Sequence, residues 1–220
     1  QVWSDGAHDL RTPLTRMRNR LEEARARSAG SSGDSAVIAA AIDDTDQLLS
    51  MFEAVLRISQ VEAGTRTRTF AALSLLELCE KVFQMYLPVA EDSGRSLTSS
   101  IARGVAVLGD AELLTQMLAN LVENAIRHTP ERAHIRLSLD RAGDRATVSV
   151  RDDGPGIPAQ EHEKVLRRFY RVSNSRSTAG HGLGLALVAA IAQLHRARLT
   201  LSDAAPGLEV TLEFEPPPAA

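Results

Sequence analysis

The sequence predicts an α+β chain, a helical hairpin followed by an α/β sandwich, and three observations carry that prediction. Apolar residues recur at alternating spacings of three and four in the first part of the chain, and a glycine- and serine-rich stretch splits that run in two. Beyond residue 70, short period-two runs interleave with long amphipathic helices, out of strict βαβ order. The 220 residues, 44% hydrophobic and 24% charged, allow one large domain or two smaller ones and supply enough apolar material for a real core.

The first helix is predicted from Ala7, Leu10, Leu14, Met17, Leu21 and Ala24, a heptad-like seam running to about Arg27. Residues 29–34 read as a turn, after which Ile38, Ala41, Thr45, Leu48, Phe52 and Val55 repeat the seam. On the second helix Ile42, Leu49 and Leu56 widen the stripe beyond what one hairpin buries. Two hairpins pairing into a dimeric four-helix bundle would cover it, and packing on the downstream domain would do so equally well.

The expected division is residues 1–63 as the hairpin domain, 64–69 as a polar linker, 70–215 as the sandwich and 216–220 as a tail. Within the sandwich, strands are expected at 70–75, 97–101, 105–108, 133–139, 146–151, 199–202 and 208–214. Helices are expected at 76–90, 111–127 and 182–195, and the prolines at 216–218 end the last strand.

Composition also excludes. A formal net charge of −3 gives no footprint for nucleic acid, despite arginine clusters within 16–20 and 167–171. One cysteine, Cys79, builds neither a disulfide framework nor a metal site and belongs in the core. No run approaches the roughly 18 apolar residues of a membrane span. His134, His162 and His195 have no ligand-like spacing, so they are assigned structural or surface places and no zinc site is expected.

Four blocks carry chemistry. The first is Ala7-His8-Asp9-Leu10-Arg11-Thr12-Pro13-Leu14. His8 follows seam residue Ala7, on the shoulder of the helix, where a neutral imidazole is reachable and its unprotonated nitrogen can attack phosphorus. Asp9 can accept from the other ring nitrogen and fix the tautomer. Pro13 cannot donate an amide to the carbonyl of Asp9, which loosens the helix one turn from His8. Taken alone, such a histidine is more often a solvated surface residue.

The second block sets Asn120 and Asn124 four apart on one helix face, with Arg127 and His128 on the next turn. In the third, Asp152-Asp153-Gly154-Pro155-Gly156 follows a strand; its glycines let backbone approach a ligand, and a carboxylate there can accept from the exocyclic amine of adenine. The fourth, Gly180-His181-Gly182-Leu183-Gly184-Leu185, opens a helix whose free amides suit phosphate. It is neither a Walker loop nor a Rossmann fingerprint. Between the last two, residues 158–179 read as a lid carrying Arg168, Phe169 and Arg171.

In this order, over residues 8–214, the blocks resemble the sensor histidine kinases of two-component systems, with their GHKL-type ATP-binding region. The resemblance implies a Bergerat-type ATP-binding domain and a homodimer. It further implies that Mg²⁺ and ATP are cofactors, that His8 is the phosphoacceptor with Asp9 as acid, and that Thr12 orients water in a phosphatase reaction. It makes Asn124 the Mg²⁺ ligand with Asn120 beside it. Arg127, His128, Asp152, Gly154, Gly156, Arg168, Arg171, Gly180, Gly182, Leu183 and Gly184 would complete the nucleotide site. Asp152 is preferred over Asp153 because the family pattern is Asp-x-Gly-x-Gly.

By the same resemblance the partner is a response-regulator receiver domain, docking near Leu10, Arg11 and Leu14. The location is then the cytoplasmic part of an inner-membrane sensor, reaching the membrane only through an upstream segment. At residue 181 the family often has threonine or serine, and this chain has histidine. Two rivals are a non-transferring ATPase, disfavoured by an amide at Asn120, and a silent dimerisation module that binds nucleotide without transfer.

Overall fold

The computed structural model describes residues 70–102, 106–142, 145–172 and 182–215, together with individual helical positions between Asn19 and Val61. Contacts divide the chain into Gln1–Ser59 and Gln60–Ala220. His8, Asp9, Thr12 and Pro13, the turn at 29–34, the linker at 64–69, Gly180, His181 and the terminal prolines lie outside the described residues.

In the first unit the described positions are helical, from Asn19 to Ala24 and from Ile38 onward. Ile42, Thr45 and Ile58 are buried, and Thr45 returns its hydroxyl to the Ala41 carbonyl at 2.7 Å. Leu48, expected on the seam, is 52% exposed. The stripe on this helix is wide enough that Ile42 is buried while seam residue Leu48 is not.

The second unit lays three helices on one face of a five-stranded sheet. The elements are β1 (Ala71–Ser74), α1 (Leu75–Asp92), β2 (Ser96–Ile101), β3 (Ala106–Gly109), α2 (Ala111–His128), β4 (His134–Ala142), β5 (Arg145–Asp152), α3 (Gly184–Leu194), β6 (Arg198–Asp203) and β7 (Leu208–Phe214). The main sheet runs β2-β4-β5-β7-β6, parallel only between β2 and β4, and β1 and β3 form a separate antiparallel pair. This is the mixed sheet under one helical layer that the irregular element order implies.

Register explains the core. Leu137 faces Val150 and Val150 faces Val210, while Leu139 faces Val148 and Val148 faces Leu212. All are buried, beneath Leu114, Met117 and Leu118 of α2 and Ile191 of α3. Cys79 is buried in α1 and its thiol is pushed up to about 12, chiefly by burial and then by Glu80, so it is an inert core residue. Alternation along β5 buries Ala146, Val148 and Val150 and brings Asp152 to the same face at the strand's end.

Helix starts are chemically explicit. Ser74 accepts from the Glu77 amide at 3.4 Å to cap α1, and Asp110 accepts from the amides of Glu112 and Leu113 at 2.9 and 3.1 Å to cap α2. The last helix begins at Gly184, two residues later than expected. Gly182 is at φ +66°, a left-handed conformation that does not continue into a helix.

Candidate nucleotide site

The site is built where the end of β5, the last turns of α2 and the start of α3 converge. Asp152 is half-buried, and its Oδ1 accepts from the amides of Gly154 at 2.9 Å and Leu208 at 3.4 Å. Among the described residues Oδ2 takes no hydrogen bond, which leaves an acceptor for a ligand amine. Burial raises the Asp152 carboxyl above its ordinary value, the two amides oppose that, and Asp153 adds to it.

Asp153 does different work. Its Oδ1 accepts from the His134 amide at 2.7 Å and its Oδ2 lies 3.0 Å from His134 Nδ1, closing the start of β4 at the surface. The alternation of β5 separates the two neighbours: Asp152 continues the buried row and Asp153 falls off it.

The glycines answer to close packing. A β-carbon on Gly154 would stand 2.8 Å from Cγ2 of Thr129 and 2.9 Å from Oδ1 of Asp152. At Gly156, φ +68°, it would meet the Gly207 carbonyl at 2.8 Å. A β-carbon on Gly182 would stand 2.7 Å from the Tyr170 carbonyl, and the Gly182 carbonyl accepts from the Phe169 amide at 3.0 Å. A β-carbon on Gly184 would stand 3.1 and 3.2 Å from the nitrogen and oxygen of the Asn124 carboxamide. The fourth block therefore joins α3 to the lid and to α2, in addition to offering a helix start: Leu183 caps α3 without a side-chain bond.

On α2, Asn120 donates its amide to the Gln116 carbonyl at 2.9 Å, so one of its two N–H groups is spent on its own helix. Arg127 pairs with Glu123 at 2.5 Å on the exposed side. His128 has its pKa lowered by desolvation, then by the charges of Arg127 and Arg171, which brings lid residue Arg171 within electrostatic reach of α2. Arg168 and Arg171 are both half-buried.

The described part of the lid is knotted. A short 3₁₀ turn at Ala159–Glu161 begins it, Glu161 pairs with Lys164 at 2.9 Å, and the Tyr170 hydroxyl donates to Glu161. His162 Nε2 lies 2.8 Å from the Ile157 carbonyl. Phe169, placed in the lid by the sequence, is 54% exposed at φ +66°. The hydrogen bond to Gly182 holds that residue in the turn, and its ring is left in solvent.

The donor set suits a Mg²⁺ held together with phosphates. Asn124 offers one carboxamide oxygen, and among the described residues no three carboxylates, histidines or cysteines gather into a cage. Mg²⁺ ordinarily keeps several waters and takes few protein ligands beside a nucleotide.

Residues 109–219 match the family described as Histidine kinase-, DNA gyrase B-, and HSP90-like ATPase, and residues 1–64 match the His Kinase A (phospho-acceptor) domain. The chain belongs to the two-component sensor histidine kinases. It is 35% identical over 198 residues to the sensor protein IrlS of Burkholderia pseudomallei, covering 89% of this chain and 42% of that protein. It is 30% identical over 212 residues to the sensor protein kinase PmrB of Pseudomonas aeruginosa, covering 96% and 44%. The chain thus spans less than half the length of these two relatives.

Among solved structures, the mycobacterial sensor histidine kinase MprB superposes with a TM-score of 0.60 at 25% identity, over 68% of this chain and 99% of its own. Full-length ShkA in complex with AMPPNP shares the fold, with a TM-score of 0.79 at 23% identity, over 96% of this chain and 45% of that one. No described helix is long and apolar enough to cross a membrane. This chain therefore carries the ATP-binding domain of a protein-histidine kinase.

Several residues of this kinase domain were not marked by motif. Thr129 is visible as a polar helix stop before Pro130, and Gly207 as a turn glycine after Pro206. Arg95 lies in a loop with no pattern around it. His195, assigned a structural or surface place, is a buried tie. Its Nε2 accepts from the Asp110 amide at 3.0 Å, its Nδ1 donates to the Ile191 carbonyl at 2.8 Å, and its ring stacks on Phe70 at 4.7 Å.

Proposed function

We propose that this chain autophosphorylates His8 from Mg·ATP and passes the phosphoryl group to an aspartate of a response-regulator receiver domain. The observation that carries the reading is that His8-Asp9 falls within residues 1–64, matched to a phospho-acceptor domain, upstream of an ATPase-type domain with a half-buried Asp152.

Asp152 Oδ2 accepts from the adenine amine, which favours ATP over GTP, because guanine presents a carbonyl at that position. Asn124 holds the Mg²⁺, with Asn120 beside it. The bound ion neutralises charge on the phosphates. Asn120 is an amide and a poor base, so water is not activated and ATP is kept for transfer. Arg127, Arg168 and Arg171 bring positive charge to the phosphates, His128 lies near the nucleoside, and Gly180, Gly182, Leu183 and Gly184, the block that leads into α3, serve the phosphate oxygens. Gly154 and Gly156 keep the β5 end close to the base. The neutral imidazole of His8 attacks the γ-phosphorus and ADP leaves, while Asp9 accepts from the other ring nitrogen.

Residues 1–63 act as the dimerisation and phosphotransfer domain, 64–69 as a linker and 70–215 as the catalytic domain. Leu48, 52% exposed on a helix with buried neighbours, fits a face covered by a second hairpin in a homodimer. Leu10, Arg11 and Leu14 form the docking surface for the regulator, and Thr12 orients water when the phosphorylated regulator is dephosphorylated. Such a chain would be the cytoplasmic part of an inner-membrane sensor.

The test uses phosphorylated protein mixed with receiver domains. Label moving from His8 to a receiver aspartate supports transfer, and slower loss of the regulator's label with Thr12→Ala supports the phosphatase role. If Thr12→Ala abolished autophosphorylation and spared dephosphorylation, the role given to Thr12 would be wrong.

A further inference from the structure

Arg95 lies in the turn between α1 and β2, outside every nucleotide motif, yet its guanidinium is committed to one residue of the site. Nε donates to both the carbonyl and the hydroxyl of Thr129, each at 3.2 Å, and Nη2 donates to the same carbonyl at 2.5 Å. Nη1 donates to the Ser93 carbonyl at 2.7 Å. Among the described residues no carboxylate shares these bonds, so the cation is held by carbonyl and hydroxyl oxygens alone.

Thr129 is where α2 stops, in extended conformation at φ −100° and ψ 152°, with Pro130 after it. Its buried side chain donates to the Ala125 carbonyl at 2.7 Å, so the hydroxyl has only its acceptor side left, and Arg95 fills it. A positive group at a helix C-terminus is favoured by the helix dipole and satisfies carbonyls that lack an intrahelical partner. Arg95 supplies that cap from a different loop.

The capped residue is also a wall of the adenine site. Thr129 Cγ2 occupies the space beside Gly154, 2.8 Å from where a β-carbon would stand, and Asp152 Oδ1 closes the other side at 2.9 Å. The Gly154 amide is the shorter of the two donors that orient Asp152. A series of neighbouring groups therefore runs from Arg95, bonded to Thr129, past the close approach of Thr129 to Gly154, to the carboxylate that the Gly154 amide holds.

We propose that Arg95 is a positioning residue for adenine recognition, acting through Thr129 and Gly154 to aim the Asp152 carboxylate at the exocyclic amine. This rests on the reading of Asp152 as the adenine acceptor. Loss of the guanidinium frees Thr129 to shift, Gly154 follows, and Asp152 loses its alignment while keeping its charge. The specific consequence is reduced discrimination between a 6-amino and a 6-oxo purine.

The experiment measures affinities of the whole chain for ATP and for inosine triphosphate with Mg²⁺, in the native protein, Arg95→Met, Arg95→Lys, Thr129→Val and Asp152→Asn. Arg95→Met should weaken ATP binding by about tenfold, the scale of one charge-assisted hydrogen bond, and inosine triphosphate binding by much less. Arg95→Lys, a single point donor in place of a planar fork, should give an intermediate ratio. It carries the same measurement if Arg95→Met does not fold. Thr129→Val, which keeps the methyl and loses the hydroxyl, should narrow the ratio as Arg95→Lys does. Equal weakening of both nucleotides, or none, in the Arg95 variants overturns the proposal. If Asp152→Asn keeps full discrimination, the adenine reading itself fails. If Asp152→Asn abolishes discrimination and the Arg95 variants retain it, the role of Arg95 alone fails.

Discussion

The carbonyl oxygen of Asp152 stands 1.8 Å from the position that a β-carbon on Gly207 would take, with Gly207 at φ +109°. Both the conformation and the approach exclude a side chain, and the opposing atoms are backbone, which cannot rotate away. The turn between β6 and β7 is thereby pressed onto the end of β5, where Leu208 donates to Asp152 and Arg151 Nη2 donates to the Ala204 carbonyl at 2.7 Å.

Gly207→Ala is accordingly expected to destabilise the domain by about 3 kcal/mol or more, in the range of severe backbone and packing conflicts. Urea unfolding of the variant beside the native protein checks this. A loss below about 1 kcal/mol would mean that the turn relaxes freely.

Asp152 gives opposite pH dependences for stability and binding. Its folded-state pKa is raised by burial, so its contribution to stability is fully present below the unfolded carboxyl value and is lost as pH rises through the folded one. The proposed recognition of adenine needs the ionised acceptor, so on that reading ATP affinity should fall on acidification at a pH above the ordinary aspartate range. Calorimetric titrations between about pH 7 and pH 4.5 follow it. Affinity without a step there would show that Asp152 does not hold the amine.

Gly184→Ala would bring a methyl group within 3.1 Å of the Asn124 carboxamide nitrogen and 3.2 Å of its oxygen, so the amide must give way. The expected result is a severalfold loss of the extra ATP affinity that Mg²⁺ confers, with a stability change within about 1 kcal/mol, since alanine itself is a good helix former. Binding compared with and without Mg²⁺ separates the two effects. An undiminished Mg²⁺ increment would contradict the role of Asn124.

His195 links α3, the α2 cap and Phe70. Burial lowers its pKa, with the Ile191 carbonyl and Asp110 opposing. The stability it contributes is present above the ordinary histidine value and lost as pH falls through the lowered folded value. His128 titrates in the same sense, so the comparison must be with a variant. His195→Phe keeps a ring and removes the nitrogen to which the Asp110 amide donates, costing about 1–3 kcal/mol at neutral pH. Its unfolding free energy should also decline less than the native protein's on acidification. Identical pH slopes would remove His195 as the titrating group.

Much of this was legible from spacing. The period-two runs predicted β4 and β5, whereas the choice of Asp152 over Asp153 rests on the family pattern, with which the burial alternation of β5 agrees. What stayed hidden depends on contacts distant in sequence. Arg95 meets Thr129 across 34 residues, and Leu208 meets Asp152 across 56, with no local pattern announcing either. The start of α3 was misjudged because glycine spacing reads as a helix opening, whereas Gly182 is committed to Phe169 and Tyr170. Leu48 differed because a wide apolar stripe does not reveal which of its edges one chain buries.

On the proposed function, ATP bound in this site phosphorylates His8. The most direct measurement incubates the chain with γ-labelled ATP and Mg²⁺ beside His8→Gln, scoring protein-bound label before and after mild acid. Acid-labile, alkali-stable label is expected on the native protein and none on the variant. Equal label on both, or no label on a chain that demonstrably binds ATP, would contradict it.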